Sequence, residues 1–387
     1  MNPVYADEEL GPWIRALPDV DYFDAHTHTG ANDPDGYAVG AEQLLDGLAI
    51  VDARAVVFTM HEPGGYPEAN DRVIAEADAS DGRLVPFCRV DPKAEPVAEA
   101  ERCLERGARG IKLHPRAEGF TLDHPEVERL VALADERRLP IMVHAGRGIP
   151  ALGRHAYELT GRYPNARLIL AHAGVSDLAW LWRHADERPN LLYDTSWWTV
   201  ADFLALFCLV PPGRILIASD APYGSPAGGF LYAMRCALQA GLDPAQIDCV
   251  AGRQTERLVA GSDLIDAGPA PGPPVQAPDL LLDRVHTYLH TAASRMLTGQ
   301  LGDEYLGLAR LACEVGDDSP QAPVAESVLA LLDRCERFIE EYPPRDGLPT
   351  PAVQIVIAAS VVARTPDVAL PEITEDTDVG EREAGAA

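Results

Sequence analysis

From about Asp19 to Ala260 the chain alternates short β-branched runs with stretches of helical periodicity, and it does so eight times. The strand candidates are "YFDAHTH" ending at His28, "RAVVFTMH" at His61, "RLVPFCRVD" at Asp91, "RGIKLHP" at Pro115, "PIMVHAG" at Gly146, "RLILAHAG" at Gly174, "NLLYDTS" at Ser196 and "RILIASDAP" at Pro222. The segments between them, such as "PVAEAERCLERG" from Pro96 and "PEVERLVALADERR" from Pro125, carry apolar residues at i, i+3, i+4 and i+7 with charges opposite. Strand and helix in repeated alternation make a parallel sheet, and a count of eight predicts an α/β chain with a (β/α)8 TIM-type barrel. A doubly wound open sheet is the alternative. It is disfavoured because no GxGxxG follows the first strand and polar residues end most strands rather than gathering at one crevice.

A chain of 387 residues exceeds what one core of roughly 250 to 300 residues usually encloses. The barrel is assigned to residues 1–264 and a Pro/Gly-rich linker, "DAGPAPGPPVQAP" with its flanks, to 265–278. An all-helical C-terminal domain follows over 279–366, with helices in "LLLDRVHTYLHTAASRML", "APVAESVLALLDRCERFIEEY" and "TPAVQIVIAASVVARTP". Residues 367–387 form an acidic, aromatic-free tail expected to be disordered. The helical extension is a candidate for homo-oligomerisation, for covering the barrel mouth or for docking a partner.

With 60 acidic against 32 basic side chains, a formal charge of −28, the chain lacks the clustered Lys and Arg that nucleic acid or an anionic membrane demands. Its partner is expected to be a small molecule. Seven scattered cysteines without a CxxC, and no basic-then-apolar leader, read as a reduced, cytoplasmic protein. The longest apolar stretch, "AVQIVIAASVVA", is too short to span a membrane.

In such a barrel every strand's C-terminal end opens onto one face, so residues far apart in sequence meet there. In "DAHTHTG", His26 and His28 share one face of a strand while Ala25 and Thr27 take the other. His144 in "VHAG", His172 in "AHAG" and Asp220 in "SDAP" join them at the mouth. Several imidazoles and a carboxylate are ligand chemistry for zinc, and equally for manganese or iron.

The ordered set "DAHTHTG", "GIKLHP", "MVHAG", "LAHAG" and "ASDAP" resembles the metal-dependent amidohydrolase superfamily. More narrowly it is similar to the amidohydrolase 2 branch, which also contains aminocarboxymuconate-semialdehyde decarboxylase and related carboxy-lyases. The likeness covers residues 20–262. It implies that His26, His28, His144 and Asp220 hold one divalent ion, zinc first, with His172 beside it. Asp220 and His172 would be the catalytic pair, Asp220 taking the proton of a water activated by the ion and His172 polarising the substrate carbonyl or passing the proton on. The implied reaction is hydrolysis of an amide, lactone or ester of a small carboxylic substrate. Non-oxidative decarboxylation is the alternative, since carboxy-lyases of the branch share the ligands, and a non-catalytic barrel scaffold is the third reading. Lys112 stands near the position where binuclear members carry a carboxylated, metal-bridging lysine.

Arg147, Lys112, His114 and Trp197 are the candidate substrate-binding residues, with Arg89, His61 and Trp198 nearby. A guanidinium matches a carboxylate and an indole offers a flat apolar wall, so the substrate is expected to be anionic. Arg89 can instead pair with Asp91. His124, His155 and His184 read as surface residues, and His286 with His290 as an i, i+4 pair lacking a third ligand.

Overall fold

The computed structural model describes residues 3–146, 148–273, 277–300, 302–344 and 349–373. The chain divides into two compact units, Asp19–Pro274 and a second made of Met1–Pro18 with Val275–Ala387.

The first unit is the barrel. Its strands are β1 (Phe23–Thr29), β2 (Arg54–Thr59), β3 (Leu84–Pro86), β4 (Cys88–Arg89), β5 (Ile111–Leu113), β6 (Pro140–Val143), β7 (Arg167–Leu170), β8 (Leu191–Asp194) and β9 (Ile215–Leu216). All neighbouring pairs are parallel, in the orders β1-β2-β3 and β4 through β9. Segments β3 and β4 are two halves of one stave, the predicted "RLVPFCRVD" strand. The Phe87 N–H still donates to the Val57 carbonyl at 2.9 Å and the Cys88 N–H to the Gly110 carbonyl at 3.0 Å, so the first half pairs backward and the second forward. The last stave returns to the first through Ala25 N–H to Ile217 O at 3.0 Å, Asp220 N–H to His26 O at 2.9 Å and His28 N–H to Ala221 O at 2.7 Å.

The barrel interior is filled by Phe23, Ala25, Val56, Phe58, Phe87, Met142, Ile169, Ala171, Leu192, Leu216 and Ala218, with Leu258 of the helix Gln254–Val259 packed on them. Most alternate along their strands, as a half-inward strand requires. In β1 the alternation breaks, because the pairing with β2 slips by one residue between Asp24 and Thr27. This bulge sends Ala25 into the apolar cluster, contrary to the expectation that it faces away. The carboxylate of Asp24 stitches the bulge, accepting the N–H groups of His26 and Ser219, each at 3.0 Å.

Segment 265–273, the first part of the predicted linker, lies in the barrel unit. Gln254 holds Ile265 through both its amide groups, at 2.9 and 3.1 Å, and the Gly272 N–H donates to the Cys208 carbonyl at 2.9 Å.

The second unit is helical: Leu280–Met296, Asp303–Ala312, Ala322–Glu341 and Val353–Arg364. Asp303–Ala312 is a helix the sequence reading lacks. The opening residues join this unit instead of the barrel, because Trp13 is buried and its Nε1–H donates to Ser327 Oγ at 2.7 Å. Glu9 likewise accepts from Arg334 at 3.1 Å. Most of the proposed tail, 374–387, lies outside the described residues. All seven cysteines are buried, and among the described residues no helix is long and apolar enough to cross a membrane.

Candidate metal centre

Both histidines of β1 turn toward one point. His26 Nε2 lies 3.2 Å from His28 Nε2, and Asp220 Oδ1 lies 3.1 Å from the first and 3.0 Å from the second. Three lone-pair donors at such spacing match the edges of a coordination shell, which run roughly 3.0–3.4 Å for metal–ligand bonds of about 2.0–2.1 Å. The donor set therefore fits a divalent ion, and His26, His28 and Asp220 form a candidate metal site. His26 and His28 are buried, while 18% of the Asp220 side chain meets solvent, so the triangle opens to the mouth on its carboxylate side.

Hydrogen bonds fix which nitrogen carries each proton. His26 Nδ1–H donates to Asp194 Oδ2 at 2.8 Å, leaving Nε2 as a lone pair. His172 Nδ1–H donates to the Ser196 carbonyl, so its Nε2 accepts from His144 Nδ1–H at 2.9 Å. That in turn leaves His144 Nε2 as a lone pair, buried and without a hydrogen-bond partner. His144 stands outside the triangle of three.

Charge agrees with ligand duty at His28 and His144. Burial pushes His28 down to about 3 and His144 well below its usual value, so both are neutral at pH 7. Burial also lowers His172. For His26, burial and Lys112 push down, but the carboxylates of Asp194 and Asp220 outweigh them and raise it. Burial disfavours the Asp220 carboxylate, yet His26 and its other imidazole neighbours hold it well below the usual range. Two of these residues occupy left-handed backbone, His172 at φ 58° and Asp220 at φ 59°. Non-glycine residues in that region carry strain that a site tolerates when its surroundings enforce it.

Asp194, which the sequence reading passed over, ties the centre together. Its side chain is fully buried, and besides His26 it accepts the backbone N–H of His172 at 2.9 Å and of Ser196 at 3.0 Å. One carboxylate thus sets the ring of one histidine and the main chain of another.

The substrate candidates separate. Lys112 is fully buried, its Nζ 3.1 Å from His26 Nε2 and 4.5 Å above the Phe58 ring, and burial lowers its amine to about 7. His114 stacks on His144 at 3.8 Å, while its Nδ1 accepts the Ala117 N–H and caps the helix Pro115–Glu118. Trp197 reaches within 5.9 Å of His172, its Nε1–H held by Asp202 at 2.9 Å, and Trp198 lies 6.3 Å from it. Arg147 lies outside the described residues. Arg89 does not pair with Asp91: its guanidinium is buried against Glu118 at 2.7 Å, with Tyr66 on the same carboxylate. That guanidinium is spent and unavailable to a substrate. His61 lies by Glu62 and Tyr66 in a side cavity. Sequence reasoning also missed Tyr223, 5.3 Å from His28, and Tyr37, 4.8 Å from Tyr223, which extend the aromatic wall.

His124 caps a helix by accepting the Glu126 N–H, His155 lies 4.0 Å from Asp123, and His184 pairs with Glu187 at 3.0 Å. His286 hydrogen-bonds Ser360 at 2.9 Å.

Residues 23–259 match the family described as amidohydrolase. The chain belongs to the amidohydrolase family. Among solved structures it is similar to an uncharacterized TIM-barrel protein from Bordetella bronchiseptica, at 16% identity and TM-score 0.51 over 62% of this chain and 99% of that one. It is also similar to a candidate amidohydrolase from Staphylococcus aureus, at 16% identity and TM-score 0.50 over 62% of this chain and all of the other (100%). 2,6-Dihydroxybenzoate decarboxylase from Rhizobium aligns at 15% identity and TM-score 0.49 over 62% and 99%. The first two likenesses show that this amidohydrolase shares their fold. No functionally curated protein matches it.

Proposed function

We propose that this amidohydrolase holds one divalent ion and hydrolyses an amide, lactone or ester of a small carboxylic acid. The supporting observation is the triangle of His26 Nε2, His28 Nε2 and Asp220 Oδ1 at 3.0–3.2 Å. His144 Nε2, buried with a free lone pair, is the fourth donor. Zinc suits this set, and manganese or iron accept it too.

When bound, such an ion supplies a Lewis acid and brings the pKa of a water molecule from about 15.7 to about 7. Asp220 serves twice: Oδ1 belongs to the triangle, and Oδ2 accepts the proton of the attacking water. Nδ1 of His172 lies 3.9 Å from that Oδ2. Neutral through burial, His172 polarises the substrate carbonyl or gives the leaving group its Nδ1 proton, turned from the Ser196 carbonyl, and takes back the proton that Asp220 Oδ2 received. Trp197, Tyr37 and Tyr223 offer flat apolar walls to an unsaturated or aromatic acyl group. Arg147 is assigned to the substrate carboxylate.

The reading is tested with the protein reconstituted with zinc or manganese and offered amides, lactones and esters with and without a carboxylate. Turnover favouring the carboxylated compounds is expected, with Asp220→Asn lowering kcat by about 10²-fold or more. Carbon dioxide release from aromatic or muconate-like acids without hydrolysis would overturn it in favour of a carboxy-lyase.

A further inference from the structure

A second cavity, of about 340 Å³, lies in the barrel unit and is lined by Arg138, Asn165, Arg167, Arg214, Leu264 and Asp266 among others. Its position follows from the strand order. Arg138 precedes β6, Arg167 opens β7, Asn190 of the same lining precedes β8 and Arg214 precedes β9. Four consecutive staves thus contribute their N-terminal ends, on the face opposite His26 and Asp220.

Three arginines in one cavity stand out in a chain with 60 acidic and 32 basic side chains. Two of them are occupied. Arg167 donates to the carbonyls of Leu258 at 3.2 Å, Gly261 at 3.3 Å and Ser262. Arg138, 46% exposed, pairs with Asp263 at the surface. Arg214 differs: among the described residues its side chain makes no hydrogen bond and no ion pair, and its Nε is buried without a partner. A partly buried guanidinium with unspent donors is costly unless an acceptor fills the space. Asp266, in the same lining, lies near enough to raise its pKa against the lowering by burial, but forms no ion pair with it.

We infer that this cavity is an oxyanion site, in which Arg214 grips the phosphate or carboxylate of a small molecule, Arg138 adds positive charge at the rim, and Asp266 opposes binding. A planar guanidinium donates two parallel bonds to either group.

Isothermal titration of the full chain with inorganic phosphate, and separately with succinate, tests the assignment at low ionic strength. Saturable binding of at least one anion is expected, and the tighter of the two identifies the chemistry. Arg214→Gln should weaken it by about tenfold or more, and Asp266→Asn should strengthen it. Arg129→Gln, at an arginine 64% exposed, should leave it unchanged. The opposite signs at Arg214 and Asp266 keep the test decisive even if one variant misfolds. No saturable binding, an unchanged affinity in Arg214→Gln, or an equal loss in Arg129→Gln would overturn the inference and leave Arg214 with a structural role.

Discussion

Asp194 shows how one residue sets the chemistry of others. With Oδ2 on His26 Nδ1 and Oδ1 on the backbone of His172 and Ser196, it holds the tautomer that presents His26 Nε2 as a ligand. Outer carboxylates of this kind are typically worth 10- to 100-fold in metal affinity. Asp194→Asn is therefore expected to weaken metal binding by about that factor, read by competition with a chromophoric chelator; an unchanged affinity would rule out the role. The three residues of the candidate metal site were legible because strand ends pool on one face, so "HTH" and "SDAP" declare themselves. Asp194 was not, since it closes an apolar run, "NLLYD", and no spacing rule links it to His26, 168 residues away. Arg89 misled for a related reason: its partner Glu118 comes from the short helix after β5, not from its neighbour in sequence.

At the level of elements, period and turn chemistry identified the staves, and the departures have local causes. Phe87 splits one strand because its two halves pair with different neighbours, and the β1 bulge reverses the face of Ala25. The helix Asp303–Ala312 escaped notice because it has only ten residues, is interrupted by Gly307 and buries only Ala309 and Ala312. The helix Leu280–Met296 carries a buried imidazole that links its stability to pH. His286 is largely buried beside Arg364, His290 and Asp283, and hydrogen-bonded to Ser360. Burial is the main cause that lowers it from 6.5 to about 4. Between those values the unfolded chain binds more protons than the folded one, so stability from neutral His286 is full above pH 6.5 and is lost as pH falls through about 4. The loss should approach about 3 kcal/mol. Urea unfolding from pH 7.5 to 4 should show it, and His286→Gln should flatten that part of the profile; an equal slope in both proteins would refute the assignment.

For the whole molecule, the division into two units separates stability from chemistry. Every residue assigned to the metal or to proton transfer lies in Asp19–Pro274, whereas Trp13 is buried in the unit formed with the C-terminal helices. Trp13→Ala should destabilise that unit by about 3–5 kcal/mol, measured by chemical denaturation, while metal content stays unchanged. Loss of metal in that variant would contradict the separation. The sequence placed residues 1–18 with the barrel because no period or linker marks them; long-range contacts from Trp13 to Ser327 and from Arg334 to Glu9 reveal where they pack. The central claim is a single divalent ion on His26, His28, Asp220 and His144. Its most direct test is elemental analysis of the purified protein beside His26→Ala. One equivalent per chain, lost in the variant, is the predicted result; two equivalents, or none after reconstitution with zinc or manganese, would contradict it.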